Sequence, residues 1–284
     1  MAIRRPAVAG QFYAGTDKAL RSQIEWCFRH RLGPGEVPKP VDKPLENLVG
    51  LVSPHAGYMY SGPVAAHAFA RLAEEGRPDV VVMIGPNHTG FGRSVAVSAS
   101  KAWRTPLGDV DVDVELAKEI VDRAEIAVMD DEAHVFEHSI EVQLPFLQFL
   151  YGRGFRIVPI CMKFQDLKTS TELGKAVAEA VASSGLSVLL LASTDLTHYE
   201  PHYVAVRKDS EVIRAVEALD VSALYRAVEE LPVSMCGYGP VASVMVASLE
   251  LGARRGELLK YATSGDITGD RTSVVGYASM VITR

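Results

Sequence analysis

The sequence of 284 residues is poor in the features that would commit it to several large classes of protein. It has three cysteines, Cys27, Cys161 and Cys236, with no CxxC spacing among them. That excludes a disulfide framework and a zinc-ribbon pattern, and a reducing cytoplasm is the expected location. No apolar run approaches the roughly 20 residues a membrane-spanning helix needs, so no membrane association is expected. The opening MAIRRPAVAGQFY has two arginines but no apolar stretch behind them, and does not read as a secretory signal. Lysine and arginine number 29 against 35 acidic residues, a net charge of −6, and no basic cluster stands out. A nucleic-acid-binding surface is therefore not expected. There is no internal repeat and no low-complexity tract.

What is present is an alternation of short apolar strands and amphipathic helices. KALRSQIEWCFRHRLG (18–33) spaces Leu20, Ile24 and Phe28 by four and reads as a helix stopped by Gly33. PGEVPKPVDKP (34–44) is a proline-rich surface connection. Strands are expected over 48–53, 79–85, 94–100, 155–162 and 186–193, with two more near the end of the chain. Helices are expected over 63–76, over 113–124 with Asp113 as cap, over 138–152 with a kink or break at Pro145, and over 169–185. Two or three more should fall between 201 and 252. This pattern predicts an α/β fold formed as one domain over residues 1–284. The near-continuous apolar strands predict a sheet buried on both faces and largely parallel in its middle.

The histidines fall in a telling place. His55 follows LVGLVSP, His88 follows VVVMIGPN and His198 follows LSVLLLASTDLT, each two to five residues beyond an expected core strand. Open parallel sheets bind ligands at the carboxyl ends of their strands, so the fold would bring these three together whatever their sequence separation. Rigid glycine- and proline-containing loops beside His55 and His88 suit a ligand site. Asp195, three residues before His198, is placed to orient a histidine, or simply to cap a turn. His134 and His138 are four apart with Glu137 and Glu141 close by, and His138 and Glu141 are candidates for supporting such a site. His30, His67 and His202 read as helix or surface residues. Cys236 precedes a glycine-containing turn and an apolar helix. A helix N-terminus favours a thiolate, a metal ligand or a nucleophile, but position alone equally describes a small buried hydrophobe. Cys27 and Cys161 lie inside a helix and a strand and look structural. Phe12, Tyr58, Tyr60 and Tyr199 are candidates for an aromatic mouth that a peptide or protein partner would use.

Several stretches together resemble the Memo family, the mediator-of-cell-motility proteins. They are RRPAVAGQFY (4–13), SPHAGYMYSGPVAAHAF (53–69), GPNHTG (85–90), TPLGDVDVD (105–113), EHSIEVQLPFLQ (137–148), STDLTHY (193–199) and CGYGPV (236–241). The resemblance implies an α/β/α sandwich like that of the LigB-type, class III extradiol dioxygenases, with a cleft at one sheet edge. It also implies metal ligands at His55, His88 and Cys236, with Asp195 and His198 where those enzymes keep an acid and a further histidine as catalytic groups. The extradiol enzymes hold iron with two histidines and a carboxylate, and here a cysteine stands in the carboxylate's place. Thiolate favours copper(I) or zinc, and imidazole suits iron, copper and zinc alike. The expected function is therefore redox chemistry at one iron or copper ion, with zinc also compatible. The alternatives are a non-catalytic peptide- or protein-binding module in a degenerate cleft, or a hydrolase using Cys236 with His198.

Overall fold

The computed structural model describes residues 2–284. In chain order its elements begin with β1 (Ile3–Arg4), α1 (Asp17–Arg29), β2 (Leu48–Ser53), α2 (Tyr58–Glu75), β3 (Val80–Pro86) and β4 (Val95–Val97). There follow β5 (Ala102–Thr105), β6 (Gly108–Asp111), α3 (Val114–Arg123), β7 (Ala127–Met129), α4 (Leu144–Tyr151), β8 (Arg156–Met162) and α5 (Leu167–Ser184). The last third adds β9 (Val188–Ser193), β10 (His198–Glu200), α6 (His202–Glu217), α7 (Val221–Glu230), α8 (Tyr238–Glu250), β11 (Arg255–Thr263), α9 (Ser264–Thr268) and β12 (Val274–Thr283). Short 3-10 turns occupy Glu132–His134 and Glu141–Gln143.

The larger sheet runs β10-β12-β2-β9-β3-β8-β4-β7, with β11 pairing β12 from outside that path. β2, β9, β3 and β8 are mutually parallel, while β12 and β4 flank them antiparallel. The parallel strands are apolar along their length because both faces are covered. Alternate residues point to opposite sides. Val80, Val82, Ile84, Leu190 and Ala192 join a core with α3, α5, α6, α7 and α8. Val81, Met83, Leu189 and Leu191 join a second core with α1, α2 and α4. A small separate sheet, β1-β5-β6, lies beside them. No helix among the described residues is long and apolar enough to cross a membrane.

The chain goes from β2 through α2 to β3 without forming the strand between them, and β9 fills that gap later. Three neighbouring strands therefore end at one sheet edge, and the register pairs Ser53 with Ser193 at that edge. Two local departures from the sequence expectation have physical causes. α2 starts at Tyr58, so Pro63 lies inside it; the carbonyl it deprives of a partner belongs to Met59, an exposed residue of the first turn. Pro145 does not kink a long helix, because it occupies the first turn of α4, where a missing N–H costs nothing.

Candidate metal centre

His55 lies two residues beyond β2, His88 two beyond β3 and Asp195 two beyond β9. Cys236 comes from far along the chain, on the loop between α7 and α8. Gly237 lets that loop dock. A Cβ there would sit 2.5 Å from the Ser193 carbonyl oxygen and 2.8 Å from Thr194 Cβ, and the Gly237 N–H donates to Thr194 Oγ1 at 3.0 Å. Asp195 completes the clamp. Its carboxylate accepts the His55 backbone N–H at 2.8 Å, and its own backbone N–H points to Cys236 Sγ at 3.2 Å.

Donor atoms of His55, His88 and Cys236 consequently lie within 4.8 Å of one another. Cys236 Sγ is 3.2 Å from His55 Nε2, and the two imidazoles meet edge-on with centroids 5.1 Å apart. Ligands 2.0–2.3 Å from a common ion stand roughly 3–4 Å apart, so the cluster is slightly open but of the right size. Its depth is uneven. His55 is buried, while the His88 side chain is 32% exposed, which gives the site one wet side.

The surroundings determine which ring nitrogens are available. His88 Nδ1 donates to Glu137 Oε1 at 2.9 Å, so Nε2 is the ring nitrogen turned away from the carboxylate. Burial pushes the Glu137 carboxyl up, but the bond from His88, the charges of His88 and His138 and the Ser139 N–H outweigh it and hold the group at about 2. His138 stacks on His88 with centroids 4.6 Å apart, and burial holds it down to about 4. His88, Glu137 and His138 form a second group of suitable geometry. Yet the Glu137 oxygens already accept the backbone N–H groups of His88, His138 and Ser139 as well as His88 Nδ1. Its chemistry is orientation of the His88 ring. Burial keeps His55 neutral by pushing its imidazole well below the usual range. Burial also pushes the Cys236 thiol up, so a metal would have to displace its proton. Asp195 is pushed up to about 6, chiefly by burial.

Other expectations fare differently. His198 is not one of the three converging donors, a place that a base, unlike a ligand, need not occupy. Beyond Asp195 the chain turns into β10, which pairs with β12, and His198 Nδ1 donates to the Ser234 carbonyl at 2.8 Å. Asp195 holds the backbone of His55 and makes no hydrogen bond to His198. Cys236 faces His55, which leaves a Cys236–His198 nucleophile pair unformed, and its raised thiol is the reverse of an activated one. Glu141 lies away from the cluster: it is buried in an ion pair with Arg4 and accepts the Tyr13 hydroxyl at 2.5 Å. His134 turns to the Ala96 carbonyl, so no His134–His138 pair exists. Tyr58 is buried, with its hydroxyl on the Val142 carbonyl, and is no part of a mouth. Phe12 packs on His138 at 4.7 Å, and Tyr60 and Tyr199 are exposed. Sequence reasoning passed over Ser193, Ser139 and Gln143. The only available signal was that they fall inside the stretches EHSIEVQ and STD, which carry the resemblance.

The fold and this site define an α/β protein whose sheet edge presents a His/His/Cys cluster able to hold a metal. The chain belongs to the Memo family: the family model described as Memo-like protein matches residues 4–281. It is 54% identical over 283 residues to a MEMO1 family protein of Methanopyrus kandleri, covering 99% of each chain. It is 50% identical over 278 residues to a MEMO1 family protein of Methanothermobacter thermautotrophicus, covering 98% of this chain and 99% of the other. Among solved structures, an uncharacterised protein from Escherichia coli K12 shares the fold. The TM-score is 0.57 at 17% identity, over 82% of this chain and 99% of that one.

Proposed function

We propose that this protein binds one redox-active metal ion, iron or copper, through His55, His88 and Cys236, and that it uses the ion in oxygen-dependent redox chemistry. The observation that carries the reading is the convergence of three donor atoms within 4.8 Å from three separate parts of the chain. The frame is a single-domain α/β/α sandwich of the LigB-dioxygenase kind, with its cleft at the carboxyl edge of a largely parallel sheet. Bound iron or copper would supply electron transfer to oxygen or to an organic substrate. The chain's own part is to hold His55 neutral by burial, to aim His88 through Glu137, and to set the thiol beside His55 Nε2. His198, with Nδ1 committed to Ser234, offers Nε2 as a base at the rim. Asp195, held near 6 chiefly by burial, is the other group suited to accept a proton. Zinc fits the same donors but would bring no redox chemistry.

The test is metal analysis of protein prepared without a metal-affinity tag, followed by anaerobic loading with iron(II) or copper(I). One ion per chain is expected, with binding lost in Cys236→Ser and His55→Ala. Wild-type protein that takes up neither ion would refute the reading.

A second reading, a peptide- or protein-binding module, is favoured by Tyr199. It is 77% exposed and its backbone sits at φ 59°, a strained conformation for a non-glycine residue. A partner captured equally by wild type and by His88→Ala would support it.

A further inference from the structure

We infer that Ser193 is a positioning residue that locks His55 in the tautomer with the proton on Nδ1, and that the segment 137–143 thereby sets the tautomers of both histidines of the site. The metal-binding consequence rests on the function proposed above; the tautomer assignment stands on hydrogen-bond inventory alone.

The inventory starts at Gln143. Its Nε2 lies 2.9 Å from the Pro54 carbonyl oxygen, which can only accept, so the amide nitrogen faces that way. The same Nε2 is 2.8 Å from Ser193 Oγ, which must accept its second proton. Ser193 Oγ is also 2.6 Å from the Ser139 carbonyl oxygen, another pure acceptor. The single hydroxyl proton goes there, because two bare oxygens at that distance repel. One lone pair remains on Ser193 Oγ, and His55 Nδ1 lies 2.9 Å away. It can only donate. His55 therefore carries Nδ1–H, and its Nε2 lone pair faces Cys236 Sγ.

The alternative tautomer would aim Nε2–H at the place where a metal would sit, and would leave Nδ1 and Ser193 as two acceptors in contact. Both Ser193 and Gln143 are buried, so water is not at hand to relieve the mismatch. The same segment sets His88 through Glu137. It reaches the sheet because Gly85 has no Cβ, which would otherwise lie 2.6 Å from Ser139 Oγ. Ser139 Oγ donates in turn to the Pro86 carbonyl. One short segment thus fixes the available nitrogen on both strand-end histidines.

The experiment is a long-range proton–nitrogen correlation of the histidine rings in metal-free, nitrogen-15-labelled protein, together with a cobalt(II) titration. Wild type should show His55 protonated on Nδ1. Ser193→Ala frees the Gln143 N–H to face Nδ1 and should populate Nε2–H, with cobalt(II) bound ten- to a hundredfold more weakly. A wild-type His55 protonated on Nε2, or a folded Ser193→Ala protein with unchanged tautomer, overturns the inference. If the variant does not fold, the wild-type spectrum alone decides. Nδ1–H in a wild type that takes up none of cobalt(II), iron(II) and copper(I) upholds the tautomer lock and rejects the metal reading instead.

Discussion

Replacing Glu137 by glutamine removes one charge from the most heavily bonded side chain of the site. Oε1 accepts His88 Nδ1 at 2.9 Å, the His138 N–H at 2.9 Å and the Ser139 N–H at 2.8 Å, while Oε2 accepts the His88 N–H at 2.6 Å. An amide can keep only one oxygen. With the oxygen left on the crowded side, its NH2 faces the His88 N–H donor to donor. Losing one charge-assisted bond and weakening three others costs on the order of 3 kcal/mol. A second route gives the same size. The carboxyl is held at about 2 against an ordinary 4.5, and that depression corresponds to about 3 kcal/mol. Because the folded value is depressed, this stability is present above pH 4.5 and is lost as the pH falls through about 2. Urea unfolding at pH 7 should show Glu137→Gln less stable by about 3 kcal/mol, with its melting temperature lower by about 5 °C for a chain of this size. The gap should close as the pH falls toward 2, where the wild-type carboxyl is itself protonated. A variant within about 0.5 kcal/mol of wild type at pH 7, or one whose deficit persists unchanged at the lowest pH, would refute the assignment of Glu137 as a charged clamp.

Two further outcomes follow from buried groups elsewhere. Burial, and then the charge of Arg4, hold His134 down to about 4; the unfolded chain takes up this proton first, so stability falls as the pH drops from about 6.5 to 4, by on the order of 3 kcal/mol. His134→Gln should flatten that part of the urea-midpoint profile, and an unchanged slope would locate the acid sensitivity elsewhere. Gly237→Ala puts a methyl group 2.5 Å from the Ser193 carbonyl oxygen and should cost about 2 kcal/mol or more, with Cys236 in the metal-free protein reacting faster with a thiol reagent because its loop is displaced. Equal thiol reactivity in a stable variant would show that the loop does not need the close approach.

The parts of the site carried by long buried strands were legible, because burial on both faces writes a strand as an unbroken apolar run. LVGLVS and VVVMIGP are such runs, and parallel pairing put His55 and His88 at a common edge. His198, expected as a base and not as a ligand, is outside the donor cluster because the chain leaves β9 sideways at Asp195 and pairs His198 with Val275 of β12. Cys236 could not be placed by spacing, since its loop is docked by the close contact of Gly237 with β9, which leaves no periodic signal. β4 falls inside the strand expected over 94–100, while β5, β6 and β7 span three or four residues each, too few to show alternation. The expected helix over 138–152 failed in its first half for a chemical reason. The N–H groups of His138 and Ser139 go to the Glu137 carboxylate, Val142 N–H still reaches the His138 carbonyl at 3.1 Å, and the turn then tightens to a 3-10 turn over Glu141–Gln143 before the regular helix begins at Leu144.

The N-terminal segment is bound to the stretch that carries Glu137 through a buried ion pair and its hydrogen bonds. Arg4 ties this irregular stretch to the start of the chain. Its guanidinium donates to the His134 and Glu137 carbonyls, pairs with Glu141 and lies over the Trp103 ring. Glu141 in turn accepts the Ala7 and Val8 N–H groups and the Tyr13 hydroxyl. A buried ion pair is costly unless every remaining donor and acceptor is matched, and here the matching partners are backbone groups of the two segments to be joined. The pair therefore contributes less through attraction between its charges than through the geometry it imposes. Residues 4–13 and 134–141 become one piece, with Phe12 resting on His138 and Glu137 aimed at His88. The sheet brings His55 and His88 to one edge, the docked loop adds Cys236, and this buried clip holds the His88 ring at the angle the edge alone does not determine.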